Sequence, residues 1–483
     1  MNSPLRKVSI SVLVLFTLLI LNANYIQVVR SSELRANPSN TRILAEEYDR
    51  ERGQIVVDGN PVATSVRTDD ALTYLRQYPQ GELYSSVTGY YSLVYGNTGI
   101  ERAENEILSG SDDRLAFRRI ADLFTGRDPS GGNVELTLDP AAQQAAFDGL
   151  DGVQGSVVAL DPSTGAVLAM VSSPGYDPNQ LSSHDPAAIR AYSDTLGAMD
   201  PDPRVNGTVD ERHSPGSVFK LITSAAALED GYSSDSVVPA PQTYRLPGTS
   251  RDLSNFGGEV CDPSGQQTLA DALRISCNTA FAQLGVELGE DRIRETAQAF
   301  GIDEEPEPMP LPVVQSTVGD IDGDAQLAVA SIGQQNVQIT PLQGAMIAAA
   351  IANDGSLMQP YLVDQLQAPD LTVIDQTEPE EQSRPVSADV ATQLQQMMVG
   401  VVEGGSGRRA QIDGYTVGGK TGTAQTTADG DDNQWFVGFA GPEGEPQIAV
   451  AVFIQGGQGT GGDLSAPVAQ QVMAAYLAAD GGN

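Results

Sequence analysis

Residues 213–222 read His213-Ser214-Pro215-Gly216-Ser217-Val218-Phe219-Lys220-Leu221-Ile222. Pro215 and Gly216 make a turn, and apolar residues then run on at helical spacing. Ser217 is therefore expected near a helix N-terminus, with Lys220 three residues on and on the same face. A serine hydroxyl is a poor nucleophile until a neighbouring base takes its proton, and a lysine amine at this spacing is within reach. The backbone N–H groups and partial positive charge of a helix N-terminus favour a developing oxyanion. Taken alone, S-x-x-K is a weak pattern, because such four-residue matches mostly mark solvated helix faces. His213, four residues before the serine, suggests a histidine-based alternative, but a loop position ahead of the turn faces away from the nucleophile.

The composition around this stretch strengthens it. Of 27 basic residues in 483, only Lys7, Lys220 and Lys420 are lysines, the other 24 being arginines. Arginine serves wherever a fixed positive charge suffices, so the surviving lysines mark places that need a compact amine able to lose its proton on burial. Lys7 is explained by its position beside an apolar segment; Lys220 and Lys420 are not. A net charge of −36 argues against a nucleic-acid partner. Two histidines and two cysteines are too few for a built-in zinc or iron–sulfur site, so no metal is expected. The length suits two domains, one with a substantial core.

Two further elements follow in order. Ser276-Cys277-Asn278 places a second hydroxyl beside a carboxamide, which could relay a proton and hold an amide; taken by itself, helix capping is the better explanation of the same residues. Gly418-Gly419-Lys420-Thr421-Gly422-Thr423-Ala424 would let a strand approach a ligand closely, with Lys420 and the Thr421 and Thr423 hydroxyls binding a carboxylate. With Gly414 this stretch also fits the phosphate-loop pattern G-x-x-x-x-G-K-T, but residues 422–427 make a poor helix, which that reading requires.

At the N-terminus Arg6 and Lys7 precede Val8–Leu21, a nearly unbroken apolar run extended to Val29. Val8 to Val29 is long enough to cross a hydrocarbon core, and no good small-x-small cleavage site follows, so an uncleaved anchor is expected. The flanking positive charges predict a cytoplasmic N-terminus with the rest of the chain outside. In that compartment Cys261 and Cys277 are expected to oxidise to a disulfide, two separate buried thiols being the alternative.

Helices are expected at Ser31–Arg52 and Gly99–Leu108, and a linker at Thr125–Asn133. Beyond it the pattern predicts strands at Val134–Leu138, Ser156–Leu160, Ala166–Ser172, Trp435–Ala440 and Gln447–Ile454. Helices are predicted at Pro140–Gly149, Pro215–Leu228, Thr268–Leu288, Pro341–Ala352 and Pro467–Ala478, and an exposed loop or hairpin at Gln365–Pro385. This describes an α+β enzyme domain, with helices packed on a mainly antiparallel sheet.

S-x-x-K, then S-x-N, then K-T-G, in this order, resembles the active-site set of penicillin-binding proteins and serine β-lactamases. Val157–Ser172, Pro174–Asn179, Ala330–Gln335, Thr340–Gln343, Ala349–Gly355 and Trp435–Phe439 look like parts of a transpeptidase domain, and Arg52-Gly53-Gln54-Ile55 resembles an early motif of its non-catalytic partner. The resemblance, to the monofunctional class B proteins, covers about residues 134–478. It implies a penicillin-binding/serine β-lactamase-like transpeptidase domain (antiparallel sheet flanked by helices) at 133–480. Before it would come a cytoplasmic tail at 1–7, a transmembrane helix at 8–29 and an N-terminal pedestal domain at 30–132.

The implied reaction is D,D-transpeptidation of peptidoglycan stem peptides, from a D-Ala-D-Ala donor to an acceptor amine, with no cofactor. Ser217 would be the nucleophile and Lys220 its base. Ser276 would relay the proton, and Asn278 would hold Lys220 and the substrate amide. Lys420, Thr421, Gly422 and Thr423 would bind the terminal carboxylate, and the backbone N–H groups of Ser217 and Thr423 would form the oxyanion hole. A Cys261–Cys277 disulfide would brace the wall carrying Ser276. β-Lactam antibiotics would acylate Ser217, and a SEDS-type glycan polymerase or division complex would be the partner. A D,D-carboxypeptidase would use the same motifs. A β-lactam sensor would need signalling machinery inside the cell, which seven residues before the span do not supply, and an idle division scaffold would have no use for an intact residue set.

Overall fold

The computed structural model describes residues 2–30, 48–70, 72–115, 130–306, 309–424 and 432–480. The predicted Ser31–Arg52 helix falls at 31–47, and the first part of the predicted linker at 125–129, outside the described residues. Asn2–Asn24 is an α-helix, and Arg6–Gln27, 22 residues of mean hydropathy 1.9, is long and apolar enough to cross a membrane. At about 1.5 Å per residue it spans about 33 Å.

A five-stranded sheet is antiparallel throughout, in the order Thr416–Ala424, Asp432–Gly441, Ile448–Gly457, Gly155–Leu160, Val167–Ser173. Its central strands read as continuous apolar runs because both faces are covered. Val450, Val452 and Ile454 pack against Ala146, Ala469 and Met473 of helices Pro140–Gly149 and Ser465–Asp480. Ala449, Ala451 and Phe453 face the other way, toward Pro341–Ala352. All twelve residues of that helix are buried, and its small side chains let it lie close: a methyl added at Gly344 would meet Ala451 Cβ at 3.3 Å. Four helix starts share one local device. Asp139, Asp177, Asp185 and Thr340 each accept a backbone N–H with their side chains, and proline stands at the first helical position.

A second, six-stranded sheet has the order Val373–Gln376, Val363–Gln367, Asn133–Leu136, Ile55–Val57, Asn60–Arg67, Tyr74–Gln77. Segments far apart in sequence therefore share one ladder, and the predicted 365–385 excursion supplies two of its strands. Beside it lies a buried charge cluster. Glu101 accepts from Arg52 Nε and Arg76 Nε, each at 2.6 Å, and from the Tyr78 hydroxyl at 3.1 Å. The Arg52 guanidinium lies 4.4 Å from the centre of the Tyr91 ring. Gly131 and Gly132, read from sequence as linker, are buried instead. Gly53 approaches so closely that a methyl on it would come within 1.7 Å of Gly132 O.

Three of the predicted helices need correction as well. Thr268–Leu288 is two helices, Leu269–Arg274 and Asn278–Leu288, broken at Ile275-Ser276-Cys277. Gly99–Leu108 is two short helices, Gly99–Ala103 and Asn105–Leu108. Pro215–Leu228 begins as a 3-10 turn, Gly216–Phe219, before the α-helix Lys220–Glu229.

Candidate active site

Ser217 sits on the 3-10 turn, half-buried, and Lys220 opens the helix that follows. The turn is braced from two sides. The Gly333 carbonyl accepts from Gly216 N at 2.9 Å and from Ser214 Oγ at 2.7 Å, while Trp435 Nε1 donates to Ser214 O at 3.0 Å. Gly333 has φ +73°, and a methyl there would lie 2.0 Å from Gly216 O, so this brace needs glycine.

Lys220 and Lys420 are both fully buried. Lys220 Nζ lies 2.7 Å from Ser276 O, 2.7 Å from Asn278 Oδ1 and 3.1 Å from Ser276 Oγ. Lys420 Nζ donates to Ser276 Oγ at 2.9 Å and to Thr421 O at 2.9 Å. The break between the two helices explains how one serine meets both amines. Ser276 takes φ +63°, a left-handed conformation unusual for serine, which turns its carbonyl and hydroxyl together toward Lys220.

Among the described residues neither amine has a carboxylate partner within ion-pair distance. Burial pulls the Lys420 amine down to about 7. Burial, with the Lys420 charge added, holds Lys220 well below the ordinary lysine range. A neutral Lys220 has two N–H bonds to give, and two carbonyl-type acceptors at 2.7 Å to take them. Its lone pair is then free for a hydroxyl proton.

Gly418-Gly419-Lys420-Thr421-Gly422-Thr423 lies in one strand, without a phosphate cradle. Its glycines make room for protein rather than ligand. A methyl on Gly418 would strike the Phe439 ring, one on Gly419 the Phe436 ring, and one on Gly422 the Pro215 carbonyl at 2.5 Å. A methyl on Gly216 would in turn come within 2.8 Å of Thr423 O, so turn and strand run backbone to backbone beside Ser217.

Thr421 and Thr423 line a groove with Ser217, Ser276 and Asn278. Ser406 and Thr460 line it too and were not read from sequence, as does Gln334, which lies in the quoted stretch Ala330–Gln335 but was given no role there. Ser406 Oγ is 2.6 Å from Thr421 Oγ1, and it stands in the glycine-rich turn Gly404-Gly405-Ser406-Gly407, a signal that could have drawn notice. Cys261 and Cys277 form a disulfide with Cα atoms 5.8 Å apart. For its 16-residue separation, loop-closure entropy gives about 3 kcal/mol. His213 lies elsewhere. Its ring stacks on Phe453 at 4.0 Å, burial lowers it to about 4, and its Nε2 has no hydrogen-bond partner among the described residues.

The two amines set a pH dependence. In the roles expected from the sequence, proton loss from Lys220 would activate the base, whereas proton loss from Lys420 would remove the charge that grips an anionic ligand. Acylation by a carboxylate-bearing ligand at low concentration should therefore rise with pH, then fall as Lys420 titrates near 7. At saturation the bound carboxylate pairs with Lys420, and the fall should move to higher pH. Pre-steady-state acylation rates across the pH range, at limiting and saturating ligand, check this; coincident alkaline limbs would count against it.

Comparison with known proteins reveals two family matches. The penicillin binding protein transpeptidase domain matches residues 155–474, and the penicillin binding protein A dimerisation domain matches residues 52–134. The chain is similar to the peptidoglycan D,D-transpeptidase PbpA of Mycolicibacterium smegmatis and to that of Mycobacterium tuberculosis, 46% identical to each over 99% of both chains. Among solved structures, the M. tuberculosis penicillin-binding protein A as its ceftriaxone acyl-enzyme superimposes with TM-score 0.88 at 46% identity, over 90% of this chain and 100% of that one. The D,D-transpeptidase domain from Eggerthella lenta gives TM-score 0.78 at 34% identity, over 90% of this chain and 100% of that one.

Proposed function

The chain belongs to the penicillin-binding protein transpeptidases, and from that premise we propose how its residues carry out peptidoglycan D,D-transpeptidation. The observation that carries the reading is the pair of buried amines sharing the Ser276 hydroxyl, one of them beside the Ser217 turn.

Ser217 Oγ attacks the penultimate D-alanine carbonyl of a donor stem peptide while neutral Lys220 takes its proton. The carbonyl oxygen becomes an oxyanion between the backbone N–H groups of Ser217 and Thr423, which the close approach of turn and strand supports. Lys220 passes the proton through Ser276 Oγ to the departing D-alanine nitrogen, and the amide bond breaks. Lys420, Thr421 and Thr423 hold the donor's terminal carboxylate, Gly422 letting their strand lie against the turn, and Asn278 keeps Lys220 in place. An acceptor amine then attacks the ester. Its proton returns through Ser276 and Lys220 to Ser217 Oγ, which leaves. β-Lactams enter by the first half of this sequence, Ser217 opening the ring.

Residues 8–29 anchor the protein, with residues 1–7 cytoplasmic as Arg6 and Lys7 argue. Residues 30–132 would be the non-catalytic pedestal domain and 133–480 the catalytic domain, outside the membrane, with Asn133–Leu136, Val363–Gln367 and Val373–Gln376 lent from the second to the sheet of the first. Cross-linking consumes newly made glycan, so the partner this reading expects in the same membrane is a glycan polymerase of the SEDS type or a division complex containing one. Incubating the full chain with a D-Ala-D-Ala stem peptide and an acceptor amine tests the reaction. Cross-linked product is expected to exceed hydrolysed product at saturating acceptor; hydrolysis alone would make the protein a D,D-carboxypeptidase.

A further inference from the structure

The groove above the two lysines has one wall that the reaction just described leaves unused. It is formed by Phe256, Glu259 and Val260 from the segment after the Asp252–Ser254 strand, together with Ile275. Phe256 is 58% exposed, Val260 48% and Ile275 36%, an apolar surface open to the groove. Glu259 is the only ionisable side chain among the residues lining the groove, and it has no ion-pair partner among the described residues.

This wall is held in place. Asn255, itself 8% exposed, accepts from Thr279 N at 3.1 Å and donates to Glu259 O at 3.0 Å, closing the turn that carries Phe256 and Glu259 onto the Asn278–Leu288 helix. Just past the turn, Cys261 is bonded to Cys277, the neighbour of Ser276. The segment is therefore fastened at both ends to the strip of chain that bears the relay hydroxyl.

That attachment identifies what the wall faces. In acylation the departing nitrogen receives its proton from Ser276. By microscopic reversibility the nitrogen that attacks the acyl-enzyme enters where the first one left, beside the same hydroxyl. We propose that Glu259, with Phe256 and Val260, is a specificity-determining subsite for the acceptor: an aliphatic side chain ending in a primary ammonium lies along the apolar pair, and its charge is drawn to the Glu259 carboxylate. A primary amine arrives mostly protonated at neutral pH. The carboxylate concentrates that form at the groove, and the ammonium gives one proton to water before its neutral nitrogen reaches the ester. This rests on the transpeptidase reading above, because a hydrolase would need no such subsite.

The test compares the full-length protein with Glu259→Gln, using a D-Ala-D-Ala stem peptide as donor. One acceptor is an aliphatic primary amine; the other is hydroxylamine, which is uncharged at neutral pH. Glu259→Gln is expected to raise KM for the charged acceptor about fivefold, with kcat for transfer, transfer to hydroxylamine and β-lactam acylation of Ser217 unchanged. At subsaturating charged acceptor, a larger share of acyl-enzyme should hydrolyse. An unchanged KM for the charged acceptor, or an equal loss with both acceptors, overturns the subsite while leaving the transpeptidase reading intact. Wild-type protein that only hydrolyses the donor overturns both.

Discussion

Lys220→Arg is expected to slow acylation of Ser217 by a β-lactam about 10⁴-fold, the upper end of what a positioned general base contributes. Arginine keeps its proton at any pH a protein survives, so it cannot accept one from Ser217. It is also the wrong shape, because the amine it replaces is fully buried between Ser276 O, Ser276 Oγ and Asn278 Oδ1. Lys220→Gln separates the two causes: it adds no charge and nearly preserves length, and it should lose a comparable amount. Ser217→Ala should form no covalent adduct at all. Rates of fluorescent-penicillin labelling, with thermal unfolding as the check on folding, measure all three. Labelling of Lys220→Arg within tenfold of wild type would remove the amine from the role given to it.

Glu101→Gln is expected to destabilise the protein by about 3–5 kcal/mol without touching the catalytic groove. The carboxylate is fully buried against Arg52 and Arg76, and its loss strands two guanidinium groups away from water. Burial alone would push the Glu101 carboxyl up, but the two guanidiniums outweigh it and hold the group below its usual range. The sign of the pH effect follows. A carboxyl depressed in the folded state contributes fully above its unfolded pKa, and that contribution is lost as pH falls through the folded one. The stability gap between wild type and variant should thus be widest near neutrality and close in acid. Denaturant unfolding at several pH values reads it, and β-lactam acylation of the folded variant should match wild type. A gap below 1 kcal/mol at neutral pH, roughly the worth of an exposed pair, would show that the cluster is solvated.

The chemistry was more legible in the sequence than the architecture that presents it. Ser217, Lys220, Ser276, Asn278 and Lys420 were singled out from short local patterns taken together, and the fold brings them to one place: Ser276 and Asn278 meet Lys220, Ser276 meets Lys420, and Ser217 lines the same groove as Ser276 and Asn278. The sheet strands and the Pro341–Ala352 helix were legible because burial on both faces leaves an apolar run with marked ends. The break at Ser276 was not. Leucines and alanines on either side carry a helical period across it, and serine gives no local sign of a positive φ. Long-range partnerships were also out of reach. Glu101 meets Arg52 and Arg76 across 49 and 25 residues, and Gln367 pairs with Asn133. Nothing local distinguishes such residues from ordinary surface charge or loop until the chain is folded.

The six-stranded sheet bears on how this protein can be dissected. Four of its strands precede the matched transpeptidase region, 155–474, and two, Val363–Gln367 and Val373–Gln376, lie well inside it, so the polypeptide leaves that region's own sheet to join this one and then returns. No single cut yields two whole pieces: trimming the front strips neighbours from a hairpin that the remaining fragment still carries. The lobes are thus spliced rather than strung together, and a disturbance in either has a second covalent route to the other, through the two ends of the 363–376 hairpin.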